Sequence, residues 1–207
     1  MDSLKIYVVG EMKHYANFIS NATLCKKLSD ANIVLFTGGE DVDPSLYGKK
    51  RHSRTYSNLQ RDTKEKNVFN KVNPNQLCIG ICRGSQFLCV MNGGILVQDC
   101  EGHALWQTHA ITNGSLEFQI TSTHHQMQYP YNLPKENYEV LYKASQGTGF
   151  EGDGIDVSKI AENGEPEIVL YHTEGKPKCL AIQGHPEMMP SDSAIITEIN
   201  NIIKSLL

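Results

Sequence analysis

The chain has 207 residues, of which 40% are hydrophobic, which is enough for one domain with a core that needs no disulfide or metal support. Its formal net charge of −4 at pH 7 leaves no broad basic surface for nucleic acid or an anionic membrane. The first residues carry no signal pattern, and no apolar run is long enough to cross a bilayer. We therefore expect a single cytoplasmic domain over residues 1–207.

Six cysteines occur in the chain, and in the cytoplasm they should be reduced. None forms a Cys-x-x-Cys pair, so the spacing excludes a zinc knuckle and a thioredoxin-like motif. Five of them are interpreted as small hydrophobic residues: Cys25, Cys78, Cys89, Cys100 and Cys179.

The first half of the chain alternates between β-type and α-type patterns. Strands are predicted at Ile6–Val9, Ile33–Phe36 and Leu77–Ile81, the last with the nearly continuous apolar run of a strand buried on both faces. Apolar residues at helical spacing predict a helix within Tyr15–Leu28, and a charged helix is predicted over Gln60–Val72. A further helical stretch, 85–91, follows the third strand.

The second half changes to short strands followed by one clear helix. The strands are predicted at Ile95–Val97, Leu116–Ile120, Tyr138–Tyr142, Ile168–Tyr171 and Cys179–Gln183. After 191–193 an apolar stripe marks a final helix. This order favours a layered α/β/α domain with a mostly parallel sheet, in which ligands bind at the carboxyl ends of the strands.

The segment Gly80-Ile81-Cys82-Arg83-Gly84 lies between a predicted strand and a predicted helix. This is the cysteine form of a nucleophile elbow, in which a tight turn exposes the central side chain and the glycines make room for crowded backbone. The alternative is a glycine-rich turn that holds an ordinary buried cysteine.

A base and its orienting group are found near the carboxyl end of the chain, in Gly184-His185-Pro186-Glu187. His185 and Glu187 are two residues apart, so an extended backbone directs both side chains to one side. The carboxylate can then orient the imidazole, and the imidazole can stabilise a thiolate at Cys82. Without the elbow, a histidine at the end of a strand is more often an ordinary hydrogen-bonded polar residue with no catalytic role.

An oxyanion hole needs two inward-pointing donors. The backbone N–H of Arg83, at the start of a helix, is one candidate. The glycines of the segment 37–41, Thr-Gly-Gly-Glu-Asp, allow a second N–H to turn inward, although an ordinary tight turn would have the same sequence.

These motifs resemble the class I glutamine amidotransferase-like superfamily, and in particular its γ-glutamyl-γ-aminobutyrate hydrolase-like branch. The matching segments, in the order found in the family, are 37–48, Arg61-Asp62 with Glu65, 80–86, 93–99, Ser122-Thr123-His124-His125-Gln126 and 183–187. The resemblance implies a flavodoxin-like, three-layer α/β/α fold.

The resemblance also implies roles for individual residues. Cys82 would be the nucleophile, His185 the base and acid, and Glu187 the orienting residue. The amides of Gly39 and Arg83 would form the oxyanion hole. Substrate contacts are implied for Gln86, His124 and His125. Arg61-Asp62 is interpreted as a structural ion pair with no chemical role.

Two regions depart from the family pattern. Only one helix is expected between the first strand and Thr37, where relatives usually have a further strand and helix, so one edge of the sheet would be shortened. Gly147–Glu162 is interpreted as an insertion without periodicity, either a mobile lid or a solvated loop.

Three functions follow as hypotheses. The first is a hydrolase that cleaves a small γ-glutamyl conjugate to glutamate and an amine through a thioester, with no cofactor, no metal and no nucleic-acid or membrane partner. The second is a glutaminase subunit that supplies ammonia to a separate synthetase or ligase. The third is a silent binding protein on the same fold. The sequence leaves open a homodimer and the identity of the amine.

Overall fold

A computed structural model describes residues 3–104 and 106–207. The strands in chain order are β1 (Leu4–Val9), β2 (Ala22–Leu24), β3 (Ile33–Phe36), β4 (Leu77–Ile81), β5 (Ile95–Val97), β6 (Asp99–Glu101), β7 (Gln107–Thr112), β8 (Glu117–Ser122), β9 (Met127–Tyr129), β10 (Tyr138–Ala144), β11 (Thr148–Glu151), β12 (Glu165–Tyr171) and β13 (Cys179–Ile182). The α-helices are α1 (Leu59–Phe69), α2 (Arg83–Met91), α3 (Val157–Asn163) and α4 (Ala194–Leu206).

Nine of these strands form one central sheet in the order β2-β1-β3-β4-β13-β12-β10-β7-β8. The pairs from β2 to β13 are parallel, and the four pairs from β13 to β8 are antiparallel. Seven of the nine strands (β2, β1, β3, β4, β13, β10 and β8) therefore point in the same direction, which agrees with the predicted mostly parallel sheet. Two small sheets, β5-β9 and β6-β11, complete the strands.

Helices cover both faces of the sheet. On one face α1 and α2 pack Phe69 and Phe87 against Phe36 of β3. On the other face the isoleucines of α4 pack with Ile79 and Ile81 of β4. Successive residues of β4 face opposite layers, which explains its unbroken apolar sequence. The three-layer α/β/α architecture is thus confirmed.

The helix predicted within Tyr15–Leu28 is wrong. This interval contains a 3-10 turn at Lys13–Ala16, the three-residue edge strand β2 and a second 3-10 turn, Leu28–Asp30. Asn21 has a left-handed φ of 51°, and its carbonyl accepts a hydrogen bond of 2.9 Å from the amide of Leu4. Apolar side chains such as Phe18 are still buried, so the spacing predicted the burial but not the backbone.

The segment Gly147–Glu162 is neither a bare lid nor a solvated loop. Its first part forms β11, which pairs antiparallel with β6, and its last part lies in α3. The Asp156 carboxylate caps α3 by accepting a hydrogen bond of 3.1 Å from the amide of Ser158. Ile160 is buried in a cluster with residues of β5 and β9. Within the described parts of the chain, no helix is both long enough and apolar enough to cross a bilayer.

Candidate active site

Cys82 occupies the single position between the end of β4 and the start of α2. Its φ of 52° and ψ of −112° are unusual for a residue with a side chain, and such strain is concentrated at functional sites. Small neighbours make the turn possible, because a Cβ on Gly80 would collide with the backbone of Gly84, and one on Gly84 with the carbonyl of Phe36. The Cys82 amide donates to Ile182 in β13 at 2.8 Å.

His185 and Glu187 follow the end of β13, which lies beside β4 and runs parallel to it. The carboxyl ends of both strands therefore meet at one edge of the sheet, next to Cys82. His185 Nδ1 donates a hydrogen bond of 2.7 Å to Glu187 Oε1, and the two side chains are only 5% and 2% exposed.

The surroundings of His185 favour its protonated form. Burial alone would lower the pKa of its imidazole, but the neighbouring Cys82 thiol and the Glu187 carboxylate raise that pKa to about 10. An imidazolium beside the sulfur is the arrangement that stabilises a thiolate nucleophile.

Two residues beside His185 were not singled out by the sequence. Thr123 Oγ1 lies 2.9 Å from His185 Nε2, so it accepts from the imidazolium or donates to the neutral ring. The ring of Tyr15 has its centroid 6.2 Å from that of His185. Burial, reinforced by the charges of Glu187 and Cys82, raises the pKa of Tyr15 to about 12, so its hydroxyl stays protonated.

The two predicted oxyanion donors have free amides. Arg83 is the first residue of α2, where an N–H has no acceptor within the helix. Gly39 has a φ of 137°, which favours glycine, and its amide donates to no acceptor among the described residues.

A charged clamp holds the strand end that carries Gly39. Arg61 Nη2 donates to the carbonyls of Gly38 at 2.8 Å and Thr37 at 3.2 Å, and Arg61 Nε donates to Glu65 at 2.9 Å. The sequence interpretation of Arg61 and Asp62 as partners of one another is therefore wrong. Adjacent helical residues point in different directions, and only the fold shows which partner each one meets.

Asp62 pairs instead with the guanidinium of Arg83, which also pairs with Glu65. Arg83 is 1% exposed, and its Cζ lies 5.1 Å from the centroid of the Phe87 ring. The two carboxylates pair with the two Nη atoms of this buried guanidinium and tie α1 to the first turn of α2, while Nε has no partner among the described residues. The residue that follows Cys82 in the elbow therefore also anchors the elbow to α1.

The three predicted substrate contacts have different environments. Gln86 is buried, its Nε2 donates to the Gln126 carbonyl at 2.8 Å, and its Oε1 has no partner among the described residues. His125 is partly exposed and lies 3.3 Å from Asp41 and 3.2 Å from Asp99. Its pKa is raised chiefly by the hydrogen bond to Asp41.

His124 does not fit the predicted role of a substrate contact. Its side chain is 1% exposed, and its ring stacks on that of His103 with 4.5 Å between centroids. Neighbours in an extended segment point to opposite sides, so only one ring of the His124-His125 pair can face the cleft. His124 is closed to a substrate in this structure.

Comparisons with known proteins place the chain among named relatives. The chain is 27% identical over 179 residues to Protein NtpR of Enterococcus hirae, covering 78% of this chain and 69% of NtpR. It is 30% identical over 170 residues to the Mycobacterium tuberculosis protein named "Putative glutamine amidotransferase Rv2859c", covering 80% of this chain and 53% of that protein. The chain therefore spans only about half to two thirds of the length of these relatives.

A solved structure shares the fold over the full length. It is described as a "putative gmp synthase subunit a protein" from Thermoplasma acidophilum, with a TM-score of 0.58, 15% identity and 99% of both chains covered. The model of the family Peptidase C26 matches residues 18–187. Together with the relatives, this match supports a cysteine-type hydrolase or amidotransferase. The chain belongs to the Peptidase C26 family.

Proposed function

We propose that the protein hydrolyses the γ-glutamyl amide bond of a small conjugate and releases glutamate and an amine. The observation that carries the proposal is the strained Cys82 beside the His185–Glu187 pair at one edge of the sheet. A strained turn beside a paired imidazole suits acyl transfer through a covalent intermediate, and the amides of Gly39 and Arg83 are proposed as the oxyanion donors.

In the first half of the reaction, the Cys82 thiolate attacks the γ-carbonyl carbon. The carbonyl oxygen becomes an oxyanion, and the amides of Gly39 and Arg83 are the proposed donors to it. His185 carries the proton that the departing nitrogen needs, and its raised pKa keeps that proton in place before the attack. The C–N bond breaks, the amine leaves with the proton, and a Cys82 thioester remains.

In the second half, the now neutral His185 takes a proton from water. The resulting nucleophile attacks the thioester carbon, and the same two amides hold the second oxyanion. Collapse of this second tetrahedral intermediate breaks the C–S bond, releases glutamate and restores the thiolate–imidazolium pair. Glu187 holds the ring by Nδ1 throughout, so Nε2 is the atom that gives the proton to the amine and later takes one from water.

Recognition of the glutamyl part is proposed for Gln86, whose Oε1 has no partner among the described residues. Because this oxygen is buried, the proposal requires that the side chain turn towards the substrate α-ammonium group on binding. His125 is proposed to border the site, because it is the partly exposed member of its pair. Two acidic residues of the segment around β11 have partners within the chain. Glu151 pairs with His52 at 3.0 Å, and Asp153 accepts from the Lys50 amide at 3.1 Å.

The test is a substrate panel with the purified chain alone. Glutamine, γ-glutamyl amines and the α-glutamyl isomers of those amines are incubated with the protein, and released glutamate is measured. We expect glutamate from γ-glutamyl compounds and none from the α-isomers. The Cys82→Ser variant should be inactive, whereas Cys25→Ser, which changes the partly exposed cysteine, should retain the activity.

The other two hypotheses predict different results from the same panel. A glutaminase subunit would release ammonia from glutamine only after a synthetase or ligase is added. A silent binding protein would bind γ-glutamyl compounds without releasing glutamate in any condition.

A further inference from the structure

A cluster of buried histidine and glutamate residues lies next to the candidate active site but is not used by the proposed reaction. It is formed at the antiparallel end of the sheet by His103, His109, His124, Glu165 and Glu167. Three of these side chains, those of His103, His109 and Glu167, have ligand-type atoms within 4.8 Å of one another. Groups of this kind are rarely buried together without a partner that satisfies them.

Glu165 fixes the tautomer of His103. Glu165 Oε2 accepts a hydrogen bond of 2.6 Å from His103 Nε2, and its Oε1 accepts one of 2.9 Å from the Gly147 amide. His103 Nδ1 is then a lone pair. The Ser122 hydroxyl does not supply a proton to it, because that hydroxyl donates to the His103 carbonyl at 2.6 Å. His103 Nδ1 lies 3.5 Å from the Ser122 hydroxyl oxygen and 3.8 Å from Glu167 Oε1.

His124 repeats this arrangement. Its Nδ1 lies 3.0 Å from the carbonyl oxygen of Gln126, which can only accept, so Nδ1 carries the proton. Its Nε2 is therefore also a lone pair, and it lies 3.9 Å from Glu167 Oε1. No described residue donates to this Nε2 or to either oxygen of Glu167. The lone pairs of His103 and His124 thus lie near one carboxylate oxygen, and the third imidazole beside that oxygen is His109.

His109 completes the group. Its Nε2 lies 3.1 Å from Glu167 Oε1 but without the alignment of a hydrogen bond, and its Nδ1 has no partner among the described residues. Glu167 Oε1 is therefore surrounded by three imidazole nitrogens at 3.1, 3.8 and 3.9 Å. In a tetrahedral zinc site with bonds of about 2.1 Å, neighbouring donor atoms are separated by about 3.4 Å.

We propose that His103, His109 and Glu167 bind one divalent transition-metal ion, with Zn²⁺ as the fitting ion, and that His124, which lies outside their 4.8 Å group, completes the site after a shift of its ring. Three neutral imidazoles and one carboxylate suit zinc, and the side chains are at most 3% exposed, which fits a closed structural site rather than an open catalytic one. Glu165 orients His103 from outside, as carboxylates commonly do for zinc-bound histidines.

Charge balance supports a divalent ion. Glu165 and Glu167 bring two negative charges into a buried region, and a 2+ ion coordinated by neutral histidines cancels both. The alternative is a metal-free cluster with two imidazolium rings. In that case a protonated His109 Nε2 would face Glu167 Oε1 at 3.1 Å, and a protonated His103 Nδ1 would face the Ser122 hydroxyl oxygen at 3.5 Å. A folded parent protein without zinc would support this alternative.

The site would stabilise a segment that contacts the catalytic histidine. Thr123 lies between Ser122, which bonds the His103 carbonyl, and His124, a proposed ligand. Thr123, the residue directly before the proposed ligand His124, is thus the one that contacts His185. This gives the ion a structural role, and the proposed hydrolysis has no step at the metal.

The test measures metal content and ligand geometry without relying on activity. The full chain is produced without a histidine tag in the Cys82→Ser background, so that neither a tag nor the candidate nucleophile binds metal. It is unfolded in chelator and refolded with zinc or cobalt. We expect one ion per chain by elemental analysis, an intense tetrahedral Co²⁺ absorption spectrum without thiolate bands, and a higher melting temperature for the metal-loaded protein.

Variants locate the ion. Glu167→Gln keeps the shape and should lose the ion, and Glu165→Gln should retain it with an affinity reduced roughly 10- to 100-fold. His172→Asn, which changes an exposed histidine, is the control and should bind one ion. The metal content and the cobalt spectrum of the parent protein test the proposal even where a variant fails to fold. A folded parent that binds no zinc, an octahedral cobalt spectrum, or full binding by Glu167→Gln would each overturn the proposal.

Discussion

Among single residues, Cys82 differs from the other cysteines in its neighbours more than in its burial. Burial raises the pKa of the Cys89 thiol to about 12, and partial burial with the nearby Asp30 also raises that of the more exposed Cys25. Among the cysteines that the structure describes, Cys82 is the one beside His185, whose raised pKa favours the imidazolium. At about pH 6.5, iodoacetamide should therefore modify Cys82 first, as measured by peptide mass spectrometry. Labelling of Cys25 at an equal rate would contradict an activated Cys82.

Glu187 is expected to act through His185. Glu187→Gln preserves the shape of the side chain but removes the negative charge that stabilises the imidazolium. We predict a fall in kcat of roughly 10- to 10⁴-fold, no larger than that of His185→Ala, because members of one catalytic unit are not additive. Unchanged turnover would mean that another carboxylate orients the ring.

Thr123 is predicted to be a positioning residue. Its hydroxyl lies 2.9 Å from His185 Nε2, so Thr123→Val removes the oxygen at nearly constant volume. We expect kcat to fall and the pH profile of kcat to shift, because the imidazolium loses an acceptor. Thr123→Ser keeps the hydroxyl and should restore both properties. If valine and serine give equal profiles, the contact has no role in the reaction.

At the scale of elements, α1 controls the strand end that carries Gly39. The Arg61 guanidinium holds the carbonyls of Thr37 and Gly38, so Arg61→Met should release the amide of Gly39 from its position. One lost oxyanion donor typically raises the barrier by about 2.7–4 kcal/mol, so kcat should fall far more than stability does. The control is Lys64→Met, an exposed position on the same helix. Equal losses of kcat in both variants would contradict the clamp.

How well each strand or helix was predicted from the sequence depends on how local its signal is. The strands Ile33–Phe36, Leu77–Ile81 and Ile95–Val97 have the predicted bounds, because a short apolar run between turn residues allows few alternatives. The helix predicted within Tyr15–Leu28 was wrong because helical spacing shows only which side chains are buried. Two 3-10 turns and a short strand bury the same side chains. Strand β11 could not be predicted, because its partner β6 is distant in sequence.

The same distinction applies to the candidate site. Cys82, His185 and Glu187 lie in short motifs with their own local geometry, so the sequence alone could propose them. The clamp by Arg61 and the buried group around Glu167 depend on contacts between distant segments, and no local spacing encodes them. His124 and His125 are adjacent in sequence but face different environments, which only the packing of the sheet reveals.

For the whole molecule, the pair of His185 and Glu187 should make stability depend on pH. The folded pKa of His185, about 10, lies above its ordinary value of 6.5. Its contribution to stability is therefore complete below pH 6.5 and is lost as pH rises through about 10. The difference in free energy of unfolding between the wild type and His185→Gln, measured by denaturant titration, should shrink over that interval. A difference independent of pH would contradict the raised pKa.

The most direct test of the central claim is to detect the glutamyl thioester on Cys82. The protein is mixed with a γ-glutamyl amide, quenched in acid within the first turnover and digested, and the peptide that contains Cys82 is analysed by mass spectrometry. The account predicts one added glutamyl group on Cys82, lost on longer incubation as free glutamate accumulates, and no such adduct in Cys82→Ser. Release of glutamate at the wild-type rate by Cys82→Ser, or an adduct on another residue, would contradict it.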